Sequence, residues 1–235
     1  WFIHFYIVSV SLSLFWALQY IYLGRTLQGI YGMRHGRRAD AGPGMDLHQV
    51  VLTWLLMTFQ GARRLSECIA FGRPSQSKMW VVHWLLGIGF YIAMSMAVWV
   101  EGFPALLATR PSLDIISIGV PSLRTVLCLP LFLLASGMQH DCHAYLASLP
   151  RYTLPQHPLF ASVICPHYTA ECGIYLSLAL LAAPQGALVN RTVFMALIFV
   201  AANLGVTAEI SRDWYRKQFG AAQMKGRWRM IPLLY

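Results

Sequence analysis

Apolar stretches close to the thickness of a bilayer follow one another along almost the whole chain. They lie near residues 1–23, 47–62, 79–100, 120–138, 159–183 and 192–210, and a helix needs about 20 such residues to cross a bilayer core. With no water in that core, each backbone N–H and C=O must be satisfied inside its own segment, so the stretches are expected to be helices. Composition agrees: 57% of the residues are hydrophobic and only 11% charged, against about a quarter charged in soluble domains. The predicted fold is all-α, a polytopic membrane helical bundle of about six transmembrane helices, forming a single integral-membrane domain over 1–235. The chain opens on Trp1 rather than Met, so its natural start, and with it a seventh helix, is expected upstream. Residues 1–23 lack the basic n-region and small-residue cleavage site of a signal peptide.

A net charge of +9 would suit nucleic acid, but the bases cluster between apolar spans, where they read as topology signals and headgroup contacts. No nucleic-acid partner and no obligate protein partner is expected. Arg63, Arg64, Arg73, Lys78, Arg151 and the basic tail fall on one side of a six-span topology. They outnumber Arg25, Arg34, Arg37, Arg38, Arg110, Arg124 and Arg191 on the other, which places the C-terminus in the cytosol. The stretch 24–46, rich in Gly and Arg, reads as an exposed connection. Five cysteines without a CxxC argue against a disulfide framework or zinc ribbon. The sequon Asn190-Arg191-Thr192 falls in a very short loop on the far side and is not expected to be glycosylated.

Three polar groups interrupt the apolar pattern. Gln60-Gly61-Ala62-Arg63-Arg64-Leu65-Ser66-Glu67 closes the second span. Its twin arginines suit phosphates, whose oxygens match the guanidinium fork, or serve as positive-inside charges with Glu67 as a partner one turn away. Gln139-His140-Asp141-Cys142-His143 gathers metal-ligand types, yet His140 and His143 on one helix face are two ligands where a closed zinc site needs four, so no metal is assigned. The third is HPLFASVICPHYTAECGIY, residues 157–175. It turns at Pro166, which is expected to break the fifth span, and carries Glu171 just inside a membrane-length segment. An ionisable group there is costly and points to a functional site, although Glu near a helix start also complements the helix dipole. The tail, SRDWYRKQFGAAQMKGRWRMIPLLY, mixes bases with Trp214, Tyr215, Phe219 and Trp228 as a membrane-interface segment does. No GxGxxG, P-loop, GxSxG or HExxH is present. A nucleotide would therefore sit in a cavity among helices, held by Arg, amide, His, Tyr and Glu side chains.

LFASVICPHYTAE, SRDWYRKQF and GRWRMIPLLY, in this order, resemble the steroid 5α-reductase superfamily. HFYIVSVSLSLFW and ARRLSEC are similar to its polyprenol reductase branch, the fungal members above all. The resemblance covers most of the chain and is densest from Gln139 onward. It implies a multi-pass enzyme of the endoplasmic reticulum membrane that uses NADPH to reduce a carbon–carbon double bond beside a carbonyl, with 120–235 as the cofactor-binding portion. The implied reaction saturates the α-isoprene unit of a long-chain polyprenoid, polyprenal or polyprenol, in dolichol biosynthesis for N-glycosylation. Hydride adds readily to a β-carbon only when a carbonyl withdraws electrons, which favours the aldehyde.

Carried over by position, the family's cofactor-lining Asn and Asp, four apart, become Gln139 and His143. Its Asn…Glu pair becomes His167 and Glu171. The family's Tyr before Pro-Gln is Tyr152, its aromatic-Tyr pair is Trp214-Tyr215, and basic contacts to phosphate and ribose match Arg63, Arg73 and Arg151. The family's catalytic Tyr is replaced by Gln60, and the upstream Gln-Glu-x-Pro is absent. An amide polarises a carbonyl without protonating it, so the proton donor stays open and the partner carboxylate is expected before Trp1. Three other readings compete: an isoprenylcysteine-type methyltransferase using S-adenosylmethionine, a 3-oxo-5α-steroid 4-dehydrogenase, and a non-catalytic lipid-binding or scaffold protein.

Overall fold

The structure, a computed structural model, describes residues 1–35, 44–72, 78–108 and 121–235, with the backbone alone for 25–35. Its helices are α1 (Phe2–His35), α2 (Leu47–Ala70), α3 (Val81–Val100), α4 (Phe103–Ala108), α5 (Leu123–Ser148), α6 (Pro158–Ser162), α7 (Pro166–Leu181) and α8 (Arg191–Phe219), followed by a 3-10 turn at Ala221–Met224. No strand occurs among the described residues, only an isolated bridge between Val163 and Trp228. One expectation is corrected. The stretch 24–46 does not begin as a loop, because α1 runs on to His35: arginine is a good helix former and no proline stops the helix there. The fifth stretch, 159–183, is broken as expected: α6 ends at Ser162 and a new helix, α7, begins at Pro166, where the missing N–H of proline would have had no helical partner anyway.

Among the described residues three helical segments, Phe2–Gly24, Val81–Val100 and Arg191–Phe219, are by themselves long and apolar enough to cross a membrane. The other expected crossings coincide with α2, α5 and α7, whose apolar runs are interrupted by the polar groups picked out above. Leu14, Leu18 and Ile21 on α1, Leu85 and Leu86 on α3, Leu127 and Leu134 on α5, and Val206 and Ile210 on α8 all face outward. In water so much exposed apolar surface would drive association. In a bilayer it is the lipid-facing coat of a multi-pass membrane protein.

The chain divides into two compact units. The first comprises residues 1–126 and 179–193. Within it α1 packs on α2, α3 and α4. Glycines permit the close approach: a Cβ at Gly61 would lie 2.9 Å from Ser9 Oγ, and one at Gly87 would lie 2.6 Å from Phe5 Cζ. Helix α2 opens on a capping box, Asp46 Oδ1 accepting from Gln49 N and Gln49 Oε1 from Asp46 N. The last carbonyls of α7, orphaned as at every helix end, are met by side chains from distant parts of the sequence. Gln49 Nε2 donates to Leu181 O and Ala183 O, each at 3.2 Å. Arg124 donates to Ala183 O at 2.6 Å and Ala187 O at 2.9 Å. Asn190, fully buried, donates to Ala182 O at 3.2 Å and caps α8 by accepting from Val193 N at 3.0 Å.

The second unit comprises residues 127–178 and 194–235. Here the segment after α8 folds back as a clasp on the chain entering α7. Trp228 N donates to Ser162 O and Ile164 N to Trp228 O, both at 2.8 Å, and Cys165 N donates to Arg229 O at 3.1 Å. Thr169 Oγ1 donates to Met230 O, and Arg229 pairs with Glu209 while its guanidinium lies 4.7 Å from the centre of the Tyr235 ring. Ile164, Cys165, Ala208, Met224 and Met230 form the buried core beneath.

Asn190→Ala removes both the α8 cap and a donor to a buried carbonyl, and should cost about 1–3 kcal/mol. Asn190→Ser keeps a capping oxygen and should lose less. Thermal unfolding in detergent checks the order, which a purely steric role for Asn190 would not produce.

Candidate active site

In the first unit the polar end of α2 is built around one carboxylate. Glu67 is 4% exposed, and its two oxygens take separate guanidiniums, Oε1 from Arg63 Nη1 and Oε2 from Arg64 Nη1. Spacings of three and four residues put all three on one helix face. Arg64 also donates from Nε to Tyr6 Oη at 3.1 Å, with its guanidinium 5.0 Å from the Tyr6 ring centre. Arg63 Nη2 donates to Gln60 Oε1 at 2.9 Å. In that contact the Gln60 amide oxygen is turned to the arginine. Two positive charges against one negative leave this cluster with a net positive charge. Arg73 lies outside the described residues.

In the second unit α5 and α7 run antiparallel and meet in two polar rungs one turn apart. Gln139 Nε2 donates to Glu171 Oε2, with Gln139 buried and Glu171 half-buried. On the next turn His143 and His167 meet edge to face, ring centres 5.5 Å apart. The i, i+4 spacing on both helices brings 139 and 143, and 167 and 171, into register. His167 also lies against Tyr168, ring centres 4.3 Å apart.

Below the rungs Tyr145, which the sequence reading passed over, organises the loop into α6. Its hydroxyl accepts from Gln156 N at 2.9 Å and His157 N at 3.2 Å, and its ring contacts His157 and Phe160. Tyr152 adopts φ +62°, is mostly exposed and has its ring 6.0 Å from that of Trp214. Tyr215 is half-buried against the Ile164–Met230 core. Arg151 is exposed. The structure thus pairs Gln139 with Glu171 and His143 with His167, and sets Tyr152 beside the Trp214–Tyr215 pair. It leaves Arg151 at the surface.

Among the described residues no three His, Cys, Asp or Glu side chains stand together as metal ligands.

The family model of 3-oxo-5-alpha-steroid 4-dehydrogenase matches residues 117–235, the stretch that holds both rungs and the clasp. Among curated proteins, a polyprenal reductase of Caenorhabditis elegans is 30% identical over 99% of this chain and 77% of its own length. A polyprenal reductase of Xenopus laevis is 28% identical over 99% of this chain and 76% of its own. One from Saccharomyces cerevisiae is 27% identical over 72% of this chain and 58% of its own. The chain therefore spans between 58% and 77% of the length of these relatives. With half its residues inside the family model and nearly all of them aligned to a relative at 30% identity, the chain belongs to the 3-oxo-5-alpha-steroid 4-dehydrogenase family.

Proposed function

We propose that this protein reduces the α-isoprene double bond of polyprenal with NADPH, in the endoplasmic reticulum membrane with its C-terminus in the cytosol, on the way to dolichol. The observation that carries the reading is the pair of rungs, Gln139–Glu171 and His143–His167, inside the stretch matched by a family of reductases. The near full-length likeness to polyprenal reductases supports the substrate. Lys/Arg bias supports the orientation.

The donor set fits a reduced nicotinamide dinucleotide. Glu171 offers carboxylate oxygen to ribose hydroxyls or a carboxamide. Gln139 holds that carboxylate in place, and His143 and His167 add ring nitrogens one turn away. Arg63, Arg73 and Arg151 are proposed for phosphate and ribose contacts, Tyr152 and Tyr215 for lining the cofactor, and 120–235 as the portion that binds it. When bound, the reduced nicotinamide supplies the hydride.

On the substrate, hydride addition at the β-carbon pushes the double-bond electrons onto the aldehyde oxygen. The Gln60 amide N–H donates to that oxygen as charge develops. A proton then reaches the α-carbon and the carbonyl re-forms. Because an amide does not release its proton at neutral pH, Gln60 polarises and does not serve as the acid. The methyltransferase alternative would place S-adenosylmethionine on the same polar groups, and no residue contact favours it.

Purified protein in detergent, given NADPH and a medium-chain polyprenal, should yield a product heavier by two hydrogens that is still an aldehyde, as read by mass spectrometry. No turnover, combined with binding of S-adenosylmethionine, would replace this reading by the methyltransferase. Glu171→Gln should weaken NADPH binding by about 1.5–3 kcal/mol through loss of charge-assisted hydrogen bonds, and wild-type affinity in that variant would contradict the cofactor placement. Glu67→Ala strands two guanidiniums and should cost about 3–5 kcal/mol of stability. Glu67→Gln should keep the fold but raise KM for NADPH more than it lowers kcat, which steady-state kinetics separates.

A further inference from the structure

The last two turns of α8 and the 3-10 turn after it border an open groove of about 350 Å3, lined by Arg212, Arg216, Ala221, Ala222, Met224 and Lys225. Three of its six lining residues are cations, and nothing in the reduction proposed above uses them. Arg212 and Arg216, one turn apart on α8, lie about 60° and about 100° around the helix axis from Tyr215. Nearby carboxylates approach these arginines without a close bond. Arg212 Nη1 is 3.8 Å from Glu209 Oε1, and Arg216 Nη1 is 3.6 Å from Asp213 Oδ1. Glu209 is moreover engaged by Arg229. The Nε of Arg212 is buried with no hydrogen-bond partner, an expensive state for a charged donor. Bases at a helix C-terminus complement its dipole, but that role is met from the surface. It explains neither a buried guanidinium N–H without an acceptor nor the hollow it borders.

The surroundings say what would fill it. Trp214, Trp228, Leu233 and Leu234 are exposed in the same unit, the mixture of aromatic, apolar and basic side chains found where a protein meets the headgroup layer. We propose that the Arg212–Arg216–Lys225 pocket binds a phosphate group, that of an anionic phospholipid headgroup or of a soluble phosphate ester. The guanidinium forks take phosphate oxygens and Lys225 closes the site as a point charge. This inference does not rest on the proposed reaction.

The test uses the delipidated full chain in detergent, titrated with short-chain phosphatidic acid, with phosphatidylcholine of the same chain length, or with inorganic phosphate, and read by native mass spectrometry. Wild-type protein should retain phosphatidic acid in preference to phosphatidylcholine. The double variant Arg216→Gln/Lys225→Gln should lose about tenfold or more of that affinity. Lys217→Gln, exposed on the same turn but outside the groove, should lose little. Displacement of the lipid by millimolar inorganic phosphate, with the same variant dependence, assigns the site to soluble phosphate esters. Resistance to displacement assigns it to the headgroup. Equal retention of both lipids by wild type, wild-type affinity in the double variant, or an equal loss in Lys217→Gln would overturn the proposal. Melting temperatures confirm that the variants fold, and the single substitutions are read in place of the double variant if it does not.

Discussion

A carboxylate set among apolar helices has to be met by donors, because the surrounding lipid offers none. Each unit of this protein meets such a carboxylate with side chains placed on its helices. Glu67 draws Arg63 and Arg64 onto one face of α2, and Arg63 in turn orients Gln60. Glu171 takes the amide of Gln139 across α5 and α7, which sets the register that brings His143 to His167 one turn on. Neither arrangement needs a loop: the groups stand on helices whose backbones are fully bonded, so their positions are as rigid as the helices themselves.

The same constraint governs the helix ends. Three side chains from separate parts of the chain, Gln49, Arg124 and Asn190, converge on the closing carbonyls of α7. This is why Asn190, read in the sequence as part of a sequon, is buried and occupied at both ends of its amide.

How much of this was legible depended on range in the sequence. Helix positions followed from apolar lengths alone, and the Arg63–Glu67 pairing from an i, i+4 spacing. Glu171 stood out because an ionised group inside an apolar segment has few innocent explanations. What escaped were partners far apart in sequence. Nothing in Tyr145 announces that its hydroxyl will serve the backbone at 156 and 157, and no periodicity marks a single bridge between Val163 and Trp228. Local composition misled in one place: the Gly- and Arg-rich stretch after Gly24 has the composition of a loop without a residue that forbids the helix. The Gln60 substitution was visible, but the direction of its amide was not, because that is set by Arg63.

The clasp also has a consequence in time. Chains are made from the N-terminus, and elements pack as their partners emerge. The chain entering α7 takes its backbone bonds from Trp228 and Arg229, and Glu209 takes a second guanidinium from Arg229, so these contacts form only after α7 and α8 have both been made. Until Trp228 and Arg229 emerge, the amides of Ile164 and Cys165 wait without these partners. A chain truncated before Trp228 would keep α1 to α8 and lose the clasp.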